Sequence, residues 1–254
     1  MSMNIDLTGK TVLVTGASRG IGRSLAEGLA GAGATVAAHF NQNRAAAEDL
    51  AGTLGHGARS FQADLADPAS CAGLFGEVVE AYGRLDVLVN NAGIALRLSP
   101  DMTISNWCDG WDLTMAVNLR AVELLSRLAV EHFRRHDGGR IINVASRAAF
   151  RGDSPEYMTY AASKGGVVAL TRSIARAYGK AGVCAFVLAP GFVRTEMAQE
   201  VIDEHGEERV TGDLALDRLT EPADLAPLVV LLASGLADHT TGGTFDVNAG
   251  SYVH

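Results

Sequence analysis

The sequence lacks several features that mark common classes of protein. Its 254 residues include three cysteines, Cys71, Cys108 and Cys184, whose odd number and wide spacing predict neither a disulfide framework nor a CxxC site. Residues 1–10 have no apolar core, so we expect no signal peptide. The longest uncharged apolar run, residues 225–237, is too short to span a bilayer. These absences favour a protein of the reducing cytoplasm.

Positive charge is also scarce. The chain has 21 Lys and Arg residues against 29 Asp and Glu residues, a formal net charge of −8. Nucleic acid and anionic membranes both require a basic surface, so we expect neither as a partner. Hydrophobic residues make up 48% of the chain and charged residues 20%, which predicts a large core and excludes wholesale disorder.

What the sequence does contain is an alternation of short apolar runs with longer helical patterns. The runs are nearly continuous in hydrophobicity, as is typical of strands buried on both faces, and they are residues 11–15, 35–40, 59–62, 85–90, 140–145, 183–189 and 244–247. The helical patterns are residues 23–32, 44–54, 69–82, 114–135, 160–180 and 222–233. This order predicts an α/β fold with a doubly wound, parallel, seven-stranded sheet. No linker or repeat divides the chain, so residues 1–254 are interpreted as one domain.

One segment, residues 191–221, departs from the alternation. It holds nine acidic and three basic residues, a net charge of −6. One interpretation is a solvated helical excursion from the sheet. The other is a mobile lid over an active site. The two interpretations are compatible.

A glycine-rich turn follows the first predicted strand, where residues 15–22 read Thr-Gly-Ala-Ser-Arg-Gly-Ile-Gly. Gly16 would make the tight bend, Gly20 would let the backbone approach a pyrophosphate, and Gly22 would let helix and strand pack closely. Free N–H groups and the helix dipole then hold the phosphate charge. The strand before the turn and the helix after it predict dinucleotide binding.

Further motifs follow in order along the chain. They are Asp64-Leu65 after the third strand, Asn90-Asn91-Ala92-Gly93 after the fourth, Tyr160-Ala-Ala-Ser-Lys164, and Pro190-Gly191 with Thr195. Together with the Thr-Gly-x-x-x-Gly-x-Gly spacing, they make the chain resemble the short-chain dehydrogenase/reductase family from residue 15 to residue 195. The resemblance implies a Rossmann fold and an NAD(P)(H)-dependent oxidoreductase that moves hydride between nicotinamide and a carbonyl or secondary alcohol.

The resemblance also implies four catalytic residues. Tyr160 is expected to exchange the proton, with Lys164 one helical turn away on the same face. We expect the ammonium and the oxidised nicotinamide to lower the pKa of the phenol from its usual value near 10. Ser146 is expected to bind the substrate carbonyl, and Asn118 to hold a water that links Lys164 to solvent. Each residue also has a plainer alternative. Tyr160 and Lys164 would be a surface pair four residues apart, Ser146 an ordinary turn serine, and Asn118 a structural amide.

Two details depart from the family pattern. Ser146 and Tyr160 are 14 residues apart, one more than in many members, and the loop between them holds Tyr157, which has Ala161 four residues on where a lysine would be needed. The last strand ends Asp246-Val-Asn-Ala-Gly250, where the family more often has Asp-Gly-Gly. The second departure concerns C-terminal packing more than chemistry.

The second strand indicates the cofactor. NAD-preferring members of this fold have an acid at its end, and here Phe40 stands at that position. Arg19 and Arg44 are expected to meet a 2′-phosphate, and the alternative is that both face solvent. We therefore predict NADP(H), with NAD(H) as the lesser cofactor. The expected cofactor-binding residues are Gly16, Ser18, Arg19, Gly20, Ile21, Gly22, Asn41, Arg44, Asp64, Leu65, Asn91, Ala92, Gly93, Tyr160, Lys164, Pro190, Gly191, Val193 and Thr195.

The substrate is the least determined part of the prediction. By resemblance the pocket wall contains Leu96, Ser146, Ala148, Tyr157, Phe192 and Met197, which suits a medium-sized hydrophobic carbonyl compound, although the apolar members serve equally well as core. The alternative substrate is a 3-oxoacyl thioester on a carrier protein, for which Arg134, Arg135, Arg176 and Lys180 would form a docking patch. Bases at helix C-termini also complement the helix dipole, which gives those four residues a structural explanation.

Three further expectations concern catalytic silence, metal binding and assembly. A catalytically silent dinucleotide sensor is disfavoured because the chain retains Ser146, Tyr160 and Lys164. The seven histidines show no ligand spacing, so no metal is expected. The family resemblance implies a homotetramer built through residues 114–135 and 160–180.

Overall fold

Seven parallel strands form a single sheet in the computed structural model, which describes residues 5–206 and 211–253 except the side chains of Met197, Glu200, Val201, Glu204 and His205. The strands are β1 (Thr11–Val14), β2 (Thr35–Phe40), β3 (Arg59–Gln62), β4 (Val87–Asn90), β5 (Gly139–Val144), β6 (Val183–Pro190) and β7 (Thr244–Val247). Their order across the sheet is β3-β2-β1-β4-β5-β6-β7. The strand order reverses between β1 and β4, and ligands of such sheets bind in the crevice at that point. All seven predicted strands are confirmed to within two residues.

Helices cover both faces of the sheet, which confirms the doubly wound architecture. They are α1 (Gly20–Gly31), α2 (Arg44–Leu54), α3 (Pro68–Tyr82), α4 (Ile104–Met115), α5 (Ala121–Phe133), α6 (Ala148–Arg151), α7 (Met158–Tyr178), α8 (Glu196–His205) and α9 (Pro222–Ser234). Helices α1, α2 and α9 share one hydrophobic cluster with Val12 and Val14 of β1. Helices α3, α5 and α7 share a second cluster with Leu13, whose side chain points to the opposite face.

The helix predicted over residues 114–135 begins ten residues earlier than expected. Helix α4, a π-helical turn at Ala116–Arg120 and α5 follow one another without interruption from residue 104 to residue 133. Thr103 caps the start, because its Oγ1 accepts the N–H of Asn106 at 3.3 Å. Within α4 only Thr114 is buried. Its apolar residues Ile104, Trp107 and Leu113 are exposed, so α4 packs little of its apolar surface against the rest of the chain.

The segments that carry the predicted site leave the carboxyl ends of neighbouring strands. The glycine turn follows β1, Asn91–Gly93 follows β4, Ser146 follows β5 and Gly191 follows β6. Because parallel strands end at one edge, these segments lie on the same side of the sheet. In the described part of the chain, no helix has the length and apolar character needed to cross a membrane.

Candidate active site

Ser146, Tyr160 and Lys164 meet beyond the carboxyl end of β5. The Ser146 side chain lies close enough to the Tyr160 hydroxyl to lower the pKa of the phenol. The Ser146 Oγ also accepts the N–H of Ala148 at 3.1 Å, which fixes the serine rotamer. Lys164 Nζ lies 5.7 Å from the centre of the Tyr160 ring. The arrangement presents a phenol, a hydroxyl and an amine to one small region at the sheet edge.

Lys164 is a buried amine. Its side chain is on α7, only 4% of the residue is exposed, and Nζ donates to the carbonyl oxygen of Val144 at 2.9 Å. A carbonyl dipole compensates a buried charge less well than a carboxylate does. Burial therefore lowers the pKa of Lys164 to about 8.

The surroundings of Tyr160 within the protein alone raise the pKa of its phenol. Burial raises the pKa above 10 and is the largest cause; the nearby Ser146 side chain lowers it, and the charge of Asp153 raises it. Tyr160 is thus held in its protonated form at neutral pH. The lowering expected from Lys164 together with an oxidised nicotinamide stays a prediction.

Asn118 connects the segment after β4 to α7. It lies fully buried in the π-helical turn, where its Oδ1 accepts the N–H of Ile94 at 2.8 Å. Its Nδ2 donates to the Ile94 carbonyl at 2.8 Å and to Ser163 Oγ at 3.1 Å. A methyl group added at Gly93 would lie 3.3 Å from both Asn118 Oδ1 and Lys164 Nζ, so these residues form one cluster. The water contact of Asn118 stays a prediction.

The glycine turn is held tightly to the segment after β4. Thr15 Oγ1 accepts the N–H groups of Asn91 and Ala92 at 2.9 and 3.0 Å, and Asn91 Nδ2 donates to the carbonyls of Thr15 and Gly16. Gly16 has φ +64°, a backbone conformation that favours glycine. A Cβ at Gly22 would lie 2.1 Å from the Gly16 oxygen, so the close packing of turn and helix requires glycine there.

The N-terminus of α1 is open to an anion. Arg19 occupies the N-cap position and makes no side-chain capping bond. The N–H groups of a first helical turn have no intrahelical acceptor, and they bind phosphate groups in many proteins. The donors at this end of the sheet therefore fit the pyrophosphate of a dinucleotide.

The two arginines predicted for cofactor selection have separate partners. Arg44 lies 5.4 Å from the centre of the buried Phe40 ring, and its Nη2 donates to Gln62 Oε1 at 2.6 Å. Gln62 Nε2 in turn donates to the carbonyl of Asn41 at 2.8 Å. Arg19 Nη1 pairs with Glu196 Oε2 at 2.5 Å, on the first residue of α8. Both side chains are also largely exposed, 71% for Arg19 and 61% for Arg44, so their contact with a 2′-phosphate stays a prediction.

The remaining predicted cofactor residues follow strands at the same edge of the sheet. Thr195 caps α8 by accepting the N–H of Ala198 at 3.3 Å, and its methyl group would lie 3.4 Å from a Cβ at Gly20. Val193 forms a parallel bridge with Thr220. The others are Ser18 and Ile21 on the glycine turn, Asp64 and Leu65 after β3, and Pro190 and Gly191 at the end of β6. Among them the Asp64 carboxylate accepts the N–H of Ala66 at 2.9 Å and is exposed.

The predicted substrate wall is assembled from several segments. Ala148 is buried, and Leu96, Tyr157 and Phe192 are partly buried. Phe192 packs against Ile202 and Leu219 in a small cluster within residues 191–221. Met197 is part of α8, but its side chain lies outside the described residues.

The basic residues considered for carrier docking lie at the opposite edge of the sheet. Arg134 and Arg135 follow α5 and precede β5, whereas Ser146 comes after the end of β5. Six strand residues separate the two ends, about 20 Å. A cavity of about 470 Å³ lies at that far edge. Its lining includes the ion pairs of Asp86 with Lys10 and with Arg84, and of Arg140 with Asp238.

Sequence reasoning missed a set of buried polar residues. His39 in β2 contacts the glycine turn. Asn90 Nδ2 donates to Asn143 Oδ1 at 2.8 Å, and Asn143 Nδ2 donates to Thr171 Oγ1 at 2.8 Å, so that β4, β5 and α7 are joined by side chains. The available signal was a polar residue inside an apolar strand pattern. Among the described residues, no group of three or more His, Cys, Asp or Glu side chains is arranged to hold a metal ion.

Comparison with known proteins identifies the family. A family model described as "Enoyl-(Acyl carrier protein) reductase" matches residues 16–252. The 3-oxoacyl-[acyl-carrier-protein] reductase of Vibrio cholerae is 35% identical over 250 residues, which are 98% of this chain and 100% of the relative. The Staphylococcus aureus protein of the same name is 37% identical over 247 residues, 96% and 98% of the two chains.

Solved structures agree with the sequence relatives. A dehydrogenase/reductase of Sinorhizobium meliloti has a TM-score of 0.90 at 33% identity and covers 98% of each chain. A Beutenbergia cavernae protein described as an NAD(P)-dependent gluconate 5-dehydrogenase, with NADP bound at low occupancy, has a TM-score of 0.90 at 35% identity, covering 98% of this chain and 99% of the other. The chain therefore belongs to the short-chain dehydrogenase/reductase family and is an oxidoreductase of that family.

Proposed function

We propose that this oxidoreductase uses NADP(H) to reduce a medium-sized, mainly apolar carbonyl compound to a secondary alcohol, with Tyr160 as the proton donor. The observation that carries the proposal is the buried amine of Lys164, which lies 5.7 Å from the centre of the Tyr160 ring, with the Ser146 side chain near the phenol hydroxyl. Two hydroxyl groups this near to each other can both reach one substrate oxygen.

The site residues perform a simple sequence of steps. NADPH, when bound, supplies the hydride that reaches the carbonyl carbon. Ser146 donates a hydrogen bond to the carbonyl oxygen as negative charge develops on it, and Tyr160 transfers its hydroxyl proton to that oxygen. A pKa raised by burial keeps Tyr160 protonated at neutral pH, which suits reduction. Lys164 places a positive charge near the phenolate that remains.

The preference for NADP(H) rests on the end of β2. Phe40 replaces the acid that would accept hydrogen bonds from the ribose and repel a 2′-phosphate. Arg44 lies over the Phe40 ring, and Arg19 belongs to the glycine turn, whose Ala17 amide donates to the His39 carbonyl at 2.8 Å. The bound NADP in the Beutenbergia structure supports the same cofactor. Steady-state kcat/KM with NADPH and with NADH tests the preference, and a wild-type enzyme that prefers NADH contradicts it.

A 3-oxoacyl thioester on a carrier protein is the second candidate substrate. It is favoured by the names of the two relatives that are 35% and 37% identical to this chain. The charge distribution gives it no support, because Arg134 and Arg135 lie at the edge opposite Ser146 and residues 191–221 carry a net charge of −6 near the site. An acidic carrier would be repelled by that segment.

We further propose that residues 191–221 act as a lid and that the enzyme is a homotetramer of one-domain subunits in the cytoplasm. The base of the segment is closed by the Val193–Thr220 bridge and by Arg194, whose Nε donates to Glu221 Oε1 at 3.0 Å. Any movement would therefore begin beyond residue 194. Sedimentation of the purified enzyme tests the assembly.

A substrate screen tests the reaction. Purified enzyme with NADPH is offered aliphatic and aromatic ketones, and 3-oxoacyl thioesters both free and on a carrier protein, while NADPH absorbance is followed. Oxidation of NADPH by a ketone that requires Tyr160 supports the proposal. Turnover of carrier-bound thioesters alone supports the second candidate, and no turnover with any carbonyl contradicts both.

A further inference from the structure

His39 is a polar side chain buried in a strand of otherwise apolar residues. It is the fifth residue of β2 and only 2% exposed. Both nitrogens of its ring have main-chain partners. Nδ1 lies 3.0 Å from the amide nitrogen of Gly16, and Nε2 lies 3.1 Å from the carbonyl oxygen of Ala63. The imidazole therefore spans from the glycine turn to the end of β3.

The two partners determine which nitrogen of His39 carries the proton. An amide N–H only donates and a carbonyl only accepts, so both bonds exist together only when Nε2 is protonated and Nδ1 is an acceptor. A doubly protonated ring would place two N–H groups face to face at Gly16. Burial lowers the pKa of His39 to about 4, which is consistent with a neutral ring in this position.

The contact lies at the point where the glycine turn begins. Gly16 leaves β1 with φ +64°, and the next amide, that of Ala17, donates to the main-chain carbonyl of His39 at 2.8 Å. The amides of Gly16 and Ala17 are thus both held by residue 39. The amides that follow, up to the first turn of α1, are the ones that fit a pyrophosphate.

We propose that His39 is a positioning residue for the dinucleotide: Nδ1 holds the Gly16 amide and so sets the direction in which the glycine turn presents its later N–H groups to the pyrophosphate. This inference rests on the proposed function, because it requires a dinucleotide at that turn. NADPH and NADH share the pyrophosphate. Loss of the His39 contact therefore weakens both cofactors by the same factor, unlike loss of an arginine that meets the 2′-phosphate.

Two substitutions separate the two ring nitrogens. In His39→Asn, the amide oxygen occupies the place of Nδ1 and can accept from Gly16, but the side chain is too short for Ala63. In His39→Gln, the amide nitrogen reaches the place of Nε2, but no acceptor remains at the Nδ1 position. The dissociation constants of NADPH and NADH are measured by titration with each variant and with wild type, alongside thermal unfolding.

The expected result is a specific ranking. His39→Asn should bind both cofactors within about threefold of wild type, and His39→Gln should bind both about tenfold more weakly, as for loss of one neutral hydrogen bond. A role in packing alone predicts the opposite order, because glutamine is closer to histidine in volume and leaves the smaller cavity. Equal losses, the opposite order, or a loss confined to NADPH would overturn the assignment.

The wild-type protein provides a second measurement that needs no variant to fold. Long-range nitrogen–proton NMR correlations report which nitrogen of His39 carries the proton. A proton on Nε2 supports the assignment, and a proton on Nδ1 overturns it. A wild-type enzyme with no measurable affinity for either cofactor would instead refute the proposed function, so the two failures are distinguishable.

Discussion

Arg19 and Glu196 are 177 positions apart in the sequence, yet their side chains meet, with Nη1 and Oε2 separated by 2.5 Å. Arg19 belongs to the glycine turn, and Glu196 is the first residue of α8 in the lid segment. Both side chains are largely exposed, 71% and 73%, so the pair contributes little to stability. The pair matters because the Glu196 carboxylate would compete with a 2′-phosphate for the Arg19 guanidinium.

Neutralising Glu196 should favour NADPH. We expect Glu196→Gln to bind NADPH about twofold to fivefold more tightly, because an exposed ion pair of this strength no longer holds Arg19.

Arg19→Ala should weaken NADPH binding tenfold to a hundredfold, as for loss of a charge-assisted hydrogen bond. NADH affinity should change little in either variant. In the Arg19→Ala background, an effect of Glu196→Gln that persists would show that the two residues do not act through each other.

Removing the phenol oxygen of Tyr160 should abolish turnover and spare binding. Tyr160→Phe keeps the ring and loses the proton donor, so we expect kcat to fall by at least about a hundredfold with an unchanged NADPH dissociation constant. Tyr157→Phe is the matched control, three residues earlier and without a lysine four positions on, and it should cost much less. A larger loss in Tyr157→Phe would mean that the proton donor is misassigned.

Lys164 should make stability depend on pH in the alkaline range. Its pKa of about 8 in the folded protein lies below the usual 10.5, so between these values the unfolded chain binds more protons and the free energy of unfolding rises with pH. We expect the free energy of unfolding of wild type, relative to that of Lys164→Met, to rise by about 3 kcal/mol between pH 7 and pH 10.5. Denaturant unfolding at several pH values measures it.

The exposed Lys180 provides the control for this measurement. Lys180→Met removes the same charge from the surface and should show no comparable rise. A flat difference for Lys164→Met would mean that the amine is solvated in the folded protein. The Lys164→Met variant should lose turnover at every pH, because the Tyr160 phenolate then lacks its neighbouring positive charge.

A methyl group at Gly22 should disrupt cofactor binding. The added Cβ would lie 2.1 Å from the Gly16 oxygen and 2.5 Å from Asn91 Nδ2, so the turn must shift. We expect Gly22→Ala to weaken NADPH and NADH equally, by more than about tenfold. Gly31→Ala, at the other end of the same helix, meets no atom within 4 Å and should leave both dissociation constants unchanged. Normal binding by Gly22→Ala would contradict the geometry of the turn.

Shortening the lid segment should affect binding and turnover together. Replacing residues 196–217 by a short linker leaves the Val193–Thr220 base in place. If the segment closes over the substrate and excludes water, KM rises and kcat falls in the same variant. Steady-state kinetics of a variant that retains its thermal transition decides the point. Unchanged constants would favour the solvated excursion.

The fold was predictable because its signals are local. Buried parallel strands are largely apolar, and β1, β2, β4, β5 and β6 carry that pattern, whereas the edge strands β3 and β7 are more polar and more exposed. The prediction missed α4, whose apolar residues Ile104, Trp107 and Leu113 are exposed in this chain and do not pack in its core. The π-helical turn around Asn118 is equally invisible, since a single extra residue in a helical turn does not change the periodicity of its neighbours.

The site was predictable as a set of residues and less so in its electrostatics. Motif spacing placed Tyr160 and Lys164 on one helical face, but the Tyr160 pKa depends on how much water burial removes, which no spacing encodes. The Arg19–Glu196 pair and the His39–Gly16 bond join residues 177 and 23 positions apart, and only the folded chain brings them together.

The amide pair of Asn90 and Asn143 has a consequence for how the sheet assembles. The two residues are direct partners in the pairing of β4 with β5, and their side chains bond inside the core. If the two strands slid past each other by two residues, both amides would face apolar neighbours, and each unpaired group costs about 1–3 kcal/mol. The apolar residues around them would tolerate such a slip far better. A single side-chain bond thus penalises the competing alignments of the two strands that lead to Asn91 and to Ser146.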